Sequence, residues 1–148
     1  MKLLVLNGPN LNMLGIRERH LYGARTYADL TAYIEEQARE LGLDVEIYQS
    51  NHEGALVDKI QAAYGTVDGI VINPAAYTHT SVAILDALKA VNLPAAEVHL
   101  TDITQREPFR QISYAGLACQ AHFIGLGFAG YGQALAWMKE TLDKNETK

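Results

Sequence analysis

The chain carries one cysteine, Cys119, in 148 residues. An internal disulfide and any CxxC metal or redox site are therefore excluded. Long apolar runs are missing as well. The opening stretch from Met1 to Asn7 is much shorter than a secretory core or a membrane span. We accordingly expect a soluble, reduced, cytoplasmic protein with no membrane partner, in which the sequon at Asn145 has no role. Positive charge is scarce: 12 Lys and Arg stand against 17 Asp and Glu, for a net charge of −5. That balance argues against nucleic-acid binding as the main activity. No HExxH, paired-cysteine or clustered-acid pattern points to a metal, and no Gly-Lys-Ser/Thr follows the early glycines to make a phosphate loop. With 49% apolar and 20% charged residues the composition is that of a globular chain, and its length suits one domain, 1–148, with a charged tail from about Lys144 to Lys148.

Five short apolar runs are separated by helical patterns. They are Leu3 to Leu6, Val45 to Tyr48, Ile70 to Ile72, Ala96 to Leu100 and His122 to Leu126. Runs that are continuous suit strands covered on both faces. In the fourth run, Val98 and Leu100 alternate with Glu97 and His99. Thr26 is positioned to cap a helix with Leu30, Ile34, Ala38 and Leu41 on one stripe and Gly42 just past its end. Leu56, Ile60 and Ala63 mark a second helix that closes near Gly65. Thr80 or Ser81 caps a third, with Leu85 and Leu88 inward and Pro94 as its stop. Leu135, Met138 and Leu142 mark the last, fraying into the tail. Strands alternating with helices predict an α/β fold: a flavodoxin-like, doubly wound, five-stranded parallel sheet with helices on both faces. Ligands in such folds sit outside the carboxyl ends of the strands, so the loops there carry the functional argument.

The first of these loops runs 19 residues, from Asn7 to Arg25. Loops beyond about 12–15 residues are uncommon in compact domains unless functional or disordered. This one holds three Arg and three Asn, and a Tyr beside a glycine, and is read as a lid. Gln49 to Gly54, after the second strand, suits a helix start as well as a site loop. Asn73 and His79 follow the third strand; His99 ends the fourth, followed by Thr101, Asp102, Arg106 and Arg110. No lysine falls on these loops, whereas Arg17, Arg19, Arg25, Arg106 and Arg110 follow the first and fourth strands. Arginine offers permanently charged, rigid donors, so the pattern points to a small anionic ligand.

The run Gly125-Leu126-Gly127-Phe128-Ala129-Gly130 matches GxGxxG, but it follows the last strand and no later strand completes a dinucleotide unit. Its glycines are read as turn and packing residues, and Cys119 as a small packing residue. Proton transfer is the chemistry left to these loops. Tyr22 can act as a base if a guanidinium such as Arg17 favours the phenolate, which from about 10 to ~7 takes on the order of 4 kcal/mol. His99 can donate a proton to a leaving group, and Asn10, or a water it holds, can stabilise an enolate. The residues themselves lead to an acid–base lyase or isomerase acting on a small acid. A different lyase on a related hydroxy acid and a non-catalytic binding module stay open at this level.

Longer segments carry a resemblance. Leu6 to Glu18 with Tyr22-Gly23, Gln49 to Gly54, Ile72 to Ser81, Glu97 to Leu100 with Arg106-Glu107 and Phe109-Arg110, and Gly125-Leu126-Gly127 with Gly130-Tyr131 together resemble type II 3-dehydroquinate dehydratase. The resemblance implies a shikimate-pathway enzyme that removes water from 3-dehydroquinate through an enolate, without metal, Schiff base or other cofactor. It implies Tyr22 as base, Arg17 as its activating partner, His99 as general acid and Asn10 as holder of the enolate water. It further implies that Asn73, Leu100 and Thr101 bind the carboxylate region and that His79 and Arg110 hold ring hydroxyls. Asp86 would reach a neighbouring subunit's site in a homododecamer built from trimers. Arg19 stands where the family commonly has Pro, and Thr101-Asp102 where it commonly has Ser-Asn. The added charge of Asp102 is expected to weaken anion binding unless Arg106 pairs with it.

Overall fold

The computed structural model describes residues 1–16 and 24–147. Arg17, Arg19 and Tyr22 lie outside the described residues. The elements run β1 (Lys2–Asn7), α1 (Tyr27–Leu41), β2 (Asp44–Gln49), α2 (Glu53–Ala63), β3 (Gly69–Asn73), α3 (Val82–Val91), β4 (Ala95–His99), β5 (Ala121–Ile124) and α4 (Ala129–Glu146), with short 3-10 turns between several of them. The five strands pair in parallel in the order β2-β1-β3-β4-β5. That is the predicted doubly wound arrangement, with its direction switch between β1 and β3.

Alternation along the central strands sorts their side chains to two cores. Leu3 and Val5 of β1, Val71 of β3 and Val98 of β4 pack with Leu30, Ile34, Leu135 and Met138 from α1 and α4. Leu4, Leu6, Ile70 and Ile72 pack with Leu56, Ile60, Ile84 and Leu88 from α2 and α3. Each such fully buried aliphatic side chain contributes roughly 1.5–3 kcal/mol, so the sheet is held from both faces.

The helix ends follow sequence chemistry. Thr26 Oγ1 accepts from the Asp29 N–H at 3.2 Å and Asp29 Oδ2 accepts from the Thr26 N–H at 2.8 Å, a reciprocal capping box. Gly42 ends α1 with φ 71°. Ser81, rather than Thr80, caps α3 through Ile84 N–H at 2.9 Å. Asn92, with φ 52°, ends α3 two residues before Pro94 is reached. The last helix does not fray where expected: it stays helical to Glu146. Strands β4 and β5 stop at His99 and Ile124, one and two residues short of the apolar runs. The N–H groups of Gly125 and Gly127 hold the carbonyls of His99 and Leu100, both at 3.0 Å, and this glycine turn closes the strand ends. Among the described residues no helix is long and apolar enough to cross a membrane.

Candidate active site

At the carboxyl ends of β1, β3 and β4 a cleft opens, with a volume of about 610 Å³ including its mouth. Asn10, Asn73, His79, His99, Leu100, Thr101, Arg106 and Arg110 all line it. Residues predicted separately from three loops thus converge at the switch point. Asp86 does not: it is exposed on α3, outside this cleft. Arg25 also departs from the anion-site reading, because its guanidinium stacks on the Phe128 ring, 3.7 Å from the centroid.

The loop after β1 is seated by close backbone approach. Gly8 donates its N–H to the Asn73 carbonyl at 2.8 Å. A Cβ on Gly8 would come within 2.2 Å of the Pro74 carbonyl oxygen, so no side chain fits. Asn10 follows in a left-handed conformation, φ 69°, which asparagine tolerates better than most residues. Its N–H donates to Asn51 Oδ1 at 3.0 Å, while Gln49 Nε2 donates to the Gly8 carbonyl at 3.1 Å. Tyr77 Oη in turn donates to the Asn51 carbonyl at 2.7 Å. The segment after β2 therefore braces Asn10 from behind the cleft, and its residues are not among those lining it.

Beneath Asn73 lies a buried polar network. Tyr131, fully buried on α4, donates its hydroxyl to Asn7 Oδ1 at 2.7 Å and accepts from Asn73 Nδ2 at 3.0 Å. Asn73 Oδ1 accepts from the Ala75 N–H at 3.1 Å. With the oxygen engaged and one amide hydrogen committed, the asparagine is held in one orientation with a second N–H to offer. Burial pushes the Tyr131 phenol far up, so it serves as a neutral donor rather than a base.

His99 is reached through a residue to which the sequence reading assigned no role. Glu97 is 2% exposed, although its alternation with Val98 reads as a polar face. Its Oε2 receives His99 Nε2 at 3.0 Å and Ser113 Oγ at 2.6 Å. Its Oε1 receives His122 Nδ1 at 2.5 Å. Burial alone would raise the Glu97 carboxyl, but the donors from His99, Ser113 and His122 outweigh it and hold it at about 2. An ionised carboxylate only accepts, so His99 carries a hydrogen on Nε2 and turns its other nitrogen to proton exchange. The signal in the sequence was a glutamate inside an otherwise apolar strand, two residues from a histidine.

His79 donates from Nδ1 to the Ile112 carbonyl at 2.7 Å. Burial lowers its basicity most; the Ile112 bond works against that, and the charges of His99, Arg110 and Arg106 add to the lowering. His79 is therefore a neutral ring whose Nε2 lone pair accepts. Arg106 Nη1 donates to Thr101 Oγ1 at 3.5 Å, and Arg110 Nε to Glu107 Oε2 at 2.6 Å. Asp102 is not aimed at the anion site. Its Oδ1 accepts from the Thr104 N–H at 2.9 Å and from Thr104 Oγ1 at 2.5 Å, so the side chain caps a turn. Cys119 is buried and its thiol is pushed up to about 12 by burial, then by Glu97, which fits packing and not nucleophilic chemistry.

These ionisations predict acid sensitivity with a defined sign. Glu97 is depressed from 4.5 to about 2, so its contribution is complete above 4.5 and is lost as pH falls toward 2. His79 is depressed from 6.5, so the unfolded chain gains that proton first and stability also drops below 6.5. The His79 step is the smaller because that ring is partly screened by solvent. The urea midpoint should therefore decline in two stages on acidification, and Glu97→Gln should abolish the lower stage. A midpoint that is flat from pH 6 to pH 3 would contradict this account.

The family model described as dehydroquinase class II matches residues 1–139. A 3-dehydroquinate dehydratase of Clostridium acetobutylicum is 49% identical over 97% of this chain and 100% of its own length. A catabolic 3-dehydroquinase of Aspergillus oryzae is 51% identical over 99% of this chain and 95% of its own. Among solved structures, the type II dehydroquinase of Butyrivibrio crossotus superposes with a TM-score of 0.91 at 50% identity, covering 93% of this chain and 97% of that one. Matching sequence over nearly the whole chain and a matching backbone are joined by a cleft at the same strand ends that the motifs marked. The chain belongs to the class II dehydroquinase family.

Proposed function

We propose that this protein removes water from 3-dehydroquinate to give 3-dehydroshikimate, by acid–base elimination through an enolate. The observation that carries the reading is the His99–Glu97 pair. At the end of β4, an ionised, buried carboxylate holds a histidine that lines the cleft. Such a carboxylate fixes the ring that passes a proton to a departing hydroxyl. Tyr22, activated by Arg17, takes the proton beside the ketone, and Asn10 holds the water that meets the enolate oxygen. Asn73 with the Leu100 and Thr101 region binds the carboxylate, and neutral His79 with Arg110 holds the ring hydroxyls. No lysine lines the cleft among the described residues, in keeping with an enolate rather than an imine route. The reading assigns the enzyme to the shikimate pathway and the cytoplasm, as a single catalytic domain.

The test is formation of the conjugated enone product, followed by its ultraviolet absorbance, with purified protein. Activity should survive both chelator and borohydride added with substrate. A reduced substrate–lysine adduct in the mass spectrum would refute the enolate route, and absence of dehydration would refute the function.

We also propose a homododecamer built from trimers, in which Asp86 serves a neighbouring subunit's site. Its exposed place on α3, away from its own cleft, supports that role. Light scattering should then give a mass many times 16.3 kDa. A fully active monomer would remove this part of the reading.

A further inference from the structure

The two oxygens of Glu97 are held from different parts of the fold. Strands β4 and β5 pair in register with Glu97 opposite His122, so both side chains leave the same face of the sheet, as does His99 two residues along. Oε2 accepts from His99 Nε2 at 3.0 Å and from Ser113 Oγ at 2.6 Å. Oε1 accepts from His122 Nδ1 at 2.5 Å, the one donor to that oxygen among the described residues. A Cβ on Gly116 would come within 2.5 Å of Oε1, so the bare glycine leaves room for it. The same Gly116 donates its N–H to Ser113 Oγ at 3.0 Å. The side chain of Glu97 is 3% exposed, whereas that of His122, on the edge strand, is 44% exposed. Neither Glu97 nor His122 is among the described residues lining the cleft.

Resting on the dehydratase reading, we propose that His122 is a positioning residue for His99: by pinning Oε1 it fixes the tilt of the Glu97 carboxylate, and with it the aim of Oε2 at the cleft histidine. Donors on one oxygen alone leave a carboxylate free to tilt about that oxygen. A donor on each oxygen, one from the turn at Ser113 and one from the neighbouring strand, removes that freedom. Taking the His122 donor away leaves Oε1 buried without a partner, which is unfavourable. The carboxylate then turns Oε1 toward water at the open edge of β5 and carries Oε2 with it. His99 loses its alignment with the departing hydroxyl, and a misplacement of about 1 Å costs up to about 10²-fold in rate. The residues that line the cleft keep their own contacts, so the loss falls on kcat and not on KM. His122 itself touches no substrate and acts only through Glu97.

The experiment is steady-state kinetics at one fixed pH on His122→Leu and His122→Asn, with crystal structures of both. Leucine keeps bulk on the edge strand and removes the donor, whereas the asparagine amide nitrogen stands where Nδ1 stood. His122→Leu should lower kcat by about 10–10²-fold with KM within about twofold of wild type, and its Glu97 carboxylate should be turned from His99. His122→Asn should return kcat to within about threefold of wild type, with the carboxylate in place. Added to Glu97→Gln, His122→Leu should change kcat by less than about twofold, because its route to the chemistry is already gone. A role confined to stability would lower the urea midpoint of His122→Leu and leave kcat alone, which would overturn the proposal. So would an equal loss in His122→Asn, the full loss on the Glu97→Gln background, or an unmoved carboxylate in His122→Leu. If Glu97 turns in His122→Leu and stays in His122→Asn while the wild type does not dehydrate 3-dehydroquinate, the positioning stands and the dehydratase reading falls. Dehydration by the wild type with an unmoved carboxylate in His122→Leu does the reverse.

Discussion

Tyr22→Phe is expected to lower kcat by about 10²–10⁴ or more while KM changes little. The substitution keeps the ring and removes the only group assigned to take the substrate proton. Binding survives because the proposed carboxylate and hydroxyl contacts come from the loops after β3 and β4, whose residues line the cleft. Arg17→Ala should also lower kcat, since an unassisted phenol near about 10 is mostly protonated at neutral pH. In that variant the acid limb of kcat/KM should move to higher pH, because the base now needs a higher pH to ionise. Steady-state kinetics across pH decide the matter. If Tyr22→Phe retained most of kcat, Tyr22 would be a lid residue and the base would have to be sought elsewhere.

Glu97→Gln should produce the second large effect, on chemistry and on folding together. Three donors converge on this carboxylate, from His99, Ser113 and His122. An amide offers one acceptor oxygen and turns two hydrogens toward donors, so at least one of the three must reorient, change tautomer or lose its partner, at a cost of up to about 1–3 kcal/mol. Without the carboxylate the His99 ring loses the acceptor that holds it in place at the cleft. The expected fall in kcat at neutral pH is about 10²–10⁴, the range of a lost general acid. A urea titration and a kcat–pH profile on the same preparation separate the two losses. Wild-type kcat would show that His99 needs no carboxylate. Glu97→Ala is the less informative variant, because removing the acceptor altogether strands all three donors.

The layout of the sheet was legible because each strand is a short apolar run bounded by turn chemistry, and each helix carries an apolar stripe with recognisable ends. Thr26 with Asp29 and Gly42 marked α1 to the residue. What failed locally failed for tertiary reasons. The apolar runs ending at Leu100 and Leu126 overshoot β4 and β5, because hydrogen bonds from Gly125 and Gly127 to His99 and Leu100 turn the chain out of the sheet there. The tail stays helical to Glu146, where its charge had suggested fraying.

The candidate site divides in the same manner. Asn10, Asn73, His79, His99 and Arg110 were found because their residue types stand out at strand ends, and the fold brings strand ends together. Glu97 was given no role and the partner of Asp102 was not foreseen, because burial and partner choice are not periodic properties. A glutamate alternating with valine looks solvated until a neighbouring turn covers it. An aspartate after a strand gives no sign that its own loop supplies Thr104 as a donor pair.

By itself, then, the sequence determined which segments become strands and helices, their parallel winding, and the cluster of Asn, His and Arg at the carboxyl ends, since these follow from local propensity, hydrophobic period and chain connectivity. Only the tertiary structure decided how those groups are charged and aimed. Arg25 goes to the Phe128 ring, Gln49 and Asn51 brace Asn10, Tyr131 orients Asn73, and one buried carboxylate joins His99 to His122. The physical reason is distance along the chain. Tyr131 and Asn7 are 124 residues apart in sequence and 2.7 Å apart in the fold, and contacts of that kind are set by packing two layers of helices onto one sheet.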